Sequence, residues 1–160
     1  MTNFRTLVDR LQVLSESDNS NIENFDKKVA INQVYIDTAT KHFVYCGLWV
    51  TPDEENDEGI QDMLDANYDV SDVDADSYEQ LKNICKTFIQ KTKSTIEEIG
   101  FDADELGHEL WLTSQGHGSG FFDNEKLKYN KEDLAYNEKA LSILETAAKE
   151  IGDIYLYANN

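Results

Sequence analysis

The amino-acid sequence predicts an α+β fold, with about four helices packed around a small, mainly antiparallel sheet. Three observations lead there. Apolar residues recur at helical spacing in several long stretches; a glycine-rich segment is flanked by two short apolar and aromatic runs; and Asp153-Ile154-Tyr155-Leu156-Tyr157 alternates with the period of a strand.

Taken in order, Phe4, Leu7, Val8, Leu11 and Leu14 predict an amphipathic helix over 2–15, and Ser15 to Asn24 reads as a polar connection. From Lys27 to Trp49, the spacing of Val29, Ile31, Val34, Tyr35, Thr38, Tyr45 and Trp49 predicts a long helix, while the β-branched content leaves strands as the alternative. Pro52, the only proline, opens Asp53-Glu54-Glu55-Asn56-Asp57-Glu58-Gly59, whose composition is that of a solvated loop. A second acidic stretch, Asp69 to Asp76, leads into a central helix with the apolar stripe Leu81, Ile84, Cys85, Phe88, Ile89, Ile96 and Ile99. Asp76 with Glu79 resembles a capping box at its start, and Gly100 is a natural stop.

Beyond it, Glu109-Leu110-Trp111-Leu112-Thr113 reads as a strand, Gly116-His117-Gly118-Ser119-Gly120 as a tight loop and Phe121-Phe122 as the start of a partner strand, giving a hairpin near 109–123. Trp111 and Phe121 are predicted to anchor this sheet in the core. Lys131 to Ile151 reads as a final helix with Leu134, Leu141, Leu144, Ala148 and Ile151 on one face; Gly152 ends it, and a last strand follows over 153–158.

With 160 residues, 40% of them hydrophobic, the chain is long enough for one domain, 1–160, with a core that needs no covalent staples. Cys46 and Cys85 sit far apart among apolar neighbours, which fits reduced, buried thiols and a cytosolic home. The sequence has neither a secretory leader pattern at Met1–Asn21 nor an apolar run near the length of a membrane span, so no membrane is expected.

Charge is the most informative property. The net charge is −18, from 32 acids against 14 lysines and arginines, which opposes direct binding to nucleic acid and favours a basic partner. Residues 42–81 hold twelve acids and no lysine or arginine, and residues 94–125 hold eight and none; the remaining 88 residues carry a net charge of +2. Asp53, Glu54, Glu55, Asp57, Glu58, Asp62, Asp65, Asp69, Asp72, Asp74 and Asp76 are therefore the candidate partner-binding residues, against the alternative that they form only a solvated face.

Other chemistry is less well supported. Asp72-Val73-Asp74-Ala75-Asp76 begins like a calcium loop, but Ser77 stands where the turn needs glycine and Asn83 where a bidentate glutamate is needed. His108 and His117, with Glu109, Asp123 and His42, could complete a metal or acid–base group only if the fold gathered them; their spacing is no zinc signature, and no metal, cofactor or catalytic residue is expected. The glycine loop is a candidate ligand site through His108, Trp111, Gly116, His117, Gly118 and Gly120, or else a structural turn; a phosphate cradle would also want a nearby cation, and none lies between Lys93 and Lys126.

The run Gly107-His108-Glu109-Leu110-Trp111-Leu112-Thr113-Ser114-Gln115-Gly116-His117-Gly118-Ser119-Gly120-Phe121-Phe122-Asp123 resembles the signature Gly-His-Asp-Phe-Trp-Leu-Thr-Arg-Asn-Gly-His-Gly-Ala-Gly-Phe-Trp-Asp of a family of small, mostly uncharacterised bacteriophage and prophage proteins. Leu48-Trp49, Asn67-Tyr68-Asp69 and Ala147-Ala148-Lys149 leading to Asp153-Ile154-Tyr155-Leu156-Tyr157 are similar too, so the resemblance covers roughly residues 31–158 and leaves 1–26 as an added helix and connection. Ser114 in place of the family's arginine removes a cation beside the glycine loop, and 123–133 is an insertion. The resemblance implies a phage context, and hence the cytoplasm of an infected host cell, without implying an activity.

Together these readings predict a non-enzymatic, acidic phage protein that binds a basic, nucleic-acid-binding host protein by DNA-like charge mimicry, as an inhibitor of a DNA-binding or defence enzyme. The alternatives are a small enzyme or ligand-binding domain centred on the His108/His117 hairpin, and a phage structural or assembly protein.

Overall fold

The computed structural model describes residues 29–55, 58–128 and 134–159. Five α-helices are described: α1 (Gln33–Val50), α2 (Ala75–Ile99), α3 (Ala103–Ser114), α4 (Glu125–Lys128) and α5 (Leu134–Lys149). Three 3-10 turns, Leu64–Ala66, Val70–Asp72 and Phe121–Asp123, lie between them. The predicted helix over 2–15 lies outside the described residues, as do the first residues of the predicted final helix.

The predicted sheet is absent. Among the described residues the β structure is a single isolated bridge, Pro52 with Met63, so the fold is helical and not α+β. Glu109–Thr113 is not a strand but the second half of α3. Four of its five buried residues, Leu106, Gly107, Leu110 and Trp111, fall at i, i+1, i+4 and i+5, the helical repeat, and Asp104 and Glu105 in its first turn complement the helix dipole. Phe121-Phe122 is a 3-10 turn rather than a partner strand. Residues 153–158 alternate between exposed and half-buried, but among the described residues they pair with no strand and form no ladder.

Residues 27–49 resolve in favour of helix, beginning later than the spacing predicts: Asn32 is the N-cap, its side chain accepting from Tyr35 N at 3.0 Å, while Val29 and Ile31 precede the helix. Helix α2 likewise starts earlier than expected. Its cap is Asp74, which accepts from Ser77 N at 2.9 Å, and Asp76 sits in the first turn rather than at the cap. Gly100, at φ 78°, ends α2 as its position in the sequence predicts.

Helices α1 and α3 pack with their backbones nearly touching, because Gly107 has no Cβ to hold them apart: one built there would lie 2.1 Å from Ala39 O. Farther along the same pair, Gly47 leaves room for the Trp111 ring. Trp111 is buried and meets Phe43 edge-on with ring centres 5.0 Å apart; Phe121 is buried between Phe88 and Phe101. These aromatics and the stripe of α2 form one continuous core with Leu144 and Ala148 of α5. Trp111 and Phe121 are therefore core residues as predicted, anchoring helices instead of a sheet.

Candidate functional site

Several helix ends meet on one side of this core. Gln115, just past α3, donates from Nε2 to Gly152 O at 3.0 Å and accepts from Ile154 N at 2.8 Å, which ties the segment Asp153–Asn159 to the end of α3. That segment crosses to the end of α1 and the start of α2, and a groove of about 630 Å³ opens there. Leu48, Leu64, Leu81 and Ile84 give it apolar lining; Tyr68, Asp69, Asp72 and Asp74 give it an acidic wall, and Asp153–Asn159 completes it. Ile154, Leu156 and Ala158 are half-buried, while Tyr155 and Tyr157 project outward, 80% and 74% exposed.

The acidic wall is held in a fixed geometry. Asp69 Oδ1 accepts from Ser71 N at 2.6 Å and from its hydroxyl at 2.5 Å; Asp72 Oδ2 accepts from Asp69 N at 2.8 Å; and Asp74 caps α2. These bonds to Ser71 and Ser77 hold the Asp69 and Asp74 carboxyls below their ordinary range, since a hydrogen bond to the ionised form favours it. The ends of α1 and α3 contribute partial negative charge of their own, with no basic residue in either last turn.

The described ion pairs fall elsewhere. Lysines pair with Asp37, Glu97, Glu105, Asp123 and Glu150, so three acids of the 94–125 segment are partly offset, whereas no described lysine or arginine forms a salt bridge with Asp53, Asp62, Asp65, Asp69, Asp72, Asp74 or Asp76. The 42–81 segment is thus the less compensated of the two.

The preceding acidic loop is closed at its base by Asp53 N to Asp62 O (2.8 Å) and Leu64 N to Thr51 O (2.9 Å). Asp53 accepts from Glu54 N and Asn67 Nδ2, while Glu54, Glu55 and Glu58 are exposed and Asp57 lies outside the described residues.

The six candidate ligand-loop residues do not converge. Gly116 (φ 64°) and His117 close α3 by a Schellman motif, His117 N donating to Leu112 O at 3.0 Å and Gly116 N to Thr113 O at 3.3 Å. Gly120, at φ 135°, is buried where a Cβ would meet Thr113 Oγ1 at 2.2 Å, and that same oxygen accepts from Phe121 N. Gly118 and His117 are exposed, Trp111 is in the core, and His108 lies against Trp49 with ring centres 5.6 Å apart. Neither the acidic groove nor a smaller cavity between α2 and α5 is lined by any of the six. No group of three or more potential metal ligands occurs among the described residues.

Tyr68, Asp153, Tyr155 and Tyr157 line the groove but are absent from the sequence-predicted site. The pattern of 153–157 was their available signal: it marks a segment with one face outward, which the sheet expectation assigns to a last strand.

No protein-family model, curated protein or solved structure matches this chain. No helix among the described residues is long and apolar enough to cross a membrane.

Proposed function

We propose that this chain is a non-enzymatic binding protein of phage origin that engages a basic, nucleic-acid-binding surface of a host protein, using its acidic end as a charge mimic of DNA. The observation that carries this reading is the wall Asp69, Asp72 and Asp74: three carboxylates fixed by backbone hydrogen bonds beside an open groove and forming no described salt bridge. Preordered charge loses little entropy on association and speeds encounter with an oppositely charged surface. Duplex DNA carries one negative charge per roughly 1.7 Å of axis, and carboxylates on successive short turns offer a basic groove a similar array. The phage origin rests on the resemblance of 107–123.

The test is capture of partners from a bacterial lysate at increasing salt, followed by competition with duplex DNA for the captured protein. A basic partner that is released by salt and displaced by duplex is the expected result. A partner indifferent to both, or no partner, overturns the charge-mimic reading.

A further inference from the structure

The segment Asp153–Asn159 is neither helix nor paired strand among the described residues, and its burial alternates residue by residue with the period of a strand. Its side chains alternate outward and inward, and its start is anchored through Ile154 N on Gln115. Beyond that anchor, the backbone N–H and C=O groups of Tyr155–Asn159 have no hydrogen-bond partner among the described residues. An unpaired strand edge is a template for addition of another strand, in which main-chain bonds give affinity and alternate side chains give selectivity.

The surroundings say what would add. The groove along this edge falls within the roughly 300–1,000 Å³ of ligand clefts. The same groove is lined by Asp69, Asp72 and Asp74, and Asp153 begins the segment itself. A second copy of this chain would bring another −18 of charge to the same place. A cationic strand meets complementary charge on the wall and, above it, the exposed faces of Tyr155 and Tyr157, which favour cations.

We propose that Asp153–Asn159 is a docking strand to which an extended, lysine- or arginine-bearing peptide segment of the partner adds by backbone pairing, its cationic side chains reaching Asp69, Asp72 and Asp74. This rests on the reading that the partner is basic and specifies how one element of it binds.

The probes are a short peptide of alternating lysine and valine, two versions of it N-methylated at alternate residues in either register, and a version with glutamate for lysine. Binding to the full chain is read by fluorescence anisotropy and by amide hydrogen exchange. The lysine peptide is expected to bind and to slow exchange at Tyr155–Asn159; one N-methylated register should bind roughly ten-fold more weakly or worse, the scale of one or two lost hydrogen bonds; and the glutamate peptide should not bind. Tyr157→Pro, with α-helical circular dichroism unchanged, should reproduce the weakening.

Equal binding of both N-methylated peptides, with loss on Asp69→Asn/Asp72→Asn/Asp74→Asn, overturns the docking strand while leaving the charge reading intact. Absence of lysine-peptide binding also overturns it, as does slowed exchange at these amides that depends on the concentration of the chain alone, which would make a second copy the occupant.

Discussion

Gly107 of α3 lies so close to α1 that a Cβ there would stand 2.1 Å from the carbonyl oxygen of Ala39 and 2.8 Å from the amide nitrogen of Phe43. Both atoms belong to helix backbone, which cannot yield as a flexible side chain would. Gly107→Ala should therefore force the two helices apart and cost about 3 kcal/mol or more, at the upper end for overpacking. Gly118→Ala is the control: nothing lies near its Cβ, and only its φ of 80° opposes the change, at about 1 kcal/mol. Urea unfolding of both variants checks the order; a Gly107→Ala loss no larger than that of Gly118→Ala would remove the close helix crossing.

The surroundings of Gly107 hide the helical period of α3 in a short stretch of sequence. Helix α2 displays a single apolar stripe, with Leu81, Cys85, Phe88, Ile89 and Ile96 buried, and its period is plain. Helix α3 buries Leu106, Gly107, Leu110, Trp111 and Leu112, which spread around more of its circumference, so the five-residue window at 109–113 shows a short continuous apolar run that a buried strand would share. The longer window from Asp102 carries the helical signal: acids in the first turn, then Leu106 and Leu110 one turn apart. The glycines legibly demand positive φ, but a helix cap uses that conformation as readily as a hairpin does. The acidic wall was legible from charge counting alone. The groove was not, because Asp153–Asn159 meets Asp69–Asp74 only through tertiary packing.

Trp111→Ala should cost about 3–5 kcal/mol, the range for removing a buried aromatic. The ring fills the space left by Gly47 and packs on Phe43, so little can collapse into the void. Trp111→Phe should cost less. Equal stability of wild type and Trp111→Ala in urea would show that the ring is not buried as described.

Cys46 and Cys85 are buried and free, and burial pushes both thiols up to about 12. The thiolate is the reactive form, so iodoacetamide at mildly alkaline pH should label neither at an appreciable rate in the native state and both in urea. The labelling rate should follow the unfolding equilibrium. Rapid labelling of Cys46 in native buffer would contradict its burial.

His108 is held below its ordinary value by burial first and by His42 second. Because the folded state disfavours its protonation, this contribution to stability is complete above about pH 6.5, the unfolded value, and is lost as pH falls through the lower folded pKa. The melting temperature should thus decline on acidification through this window, and the decline should be shallower in His108→Gln. Identical pH profiles for the two proteins would show that His108 titrates as it does in the unfolded chain.

The last prediction separates the two acidic elements, which carry similar charge in different settings. One variant replaces the loop acids (Asp53→Asn, Glu54→Gln, Glu55→Gln, Asp57→Asn, Glu58→Gln); the other replaces the acids of the turn and helix start (Asp69→Asn, Asp72→Asn, Asp74→Asn, Asp76→Asn). Asparagine caps helices about as well as aspartate, so the second variant should fold. Asp69, Asp72 and Asp74 are fixed by hydrogen bonds to N–H groups, whereas Glu54 and Glu55 are exposed and accept no described hydrogen bond. Charge that is already ordered does not spend its binding energy on becoming so. The second variant should therefore lose more affinity for the captured basic partner, by roughly ten-fold relative to the first, and its binding should depend less steeply on salt. Equal affinity of both variants and wild type, with folding intact, would leave these acids as a solvated face.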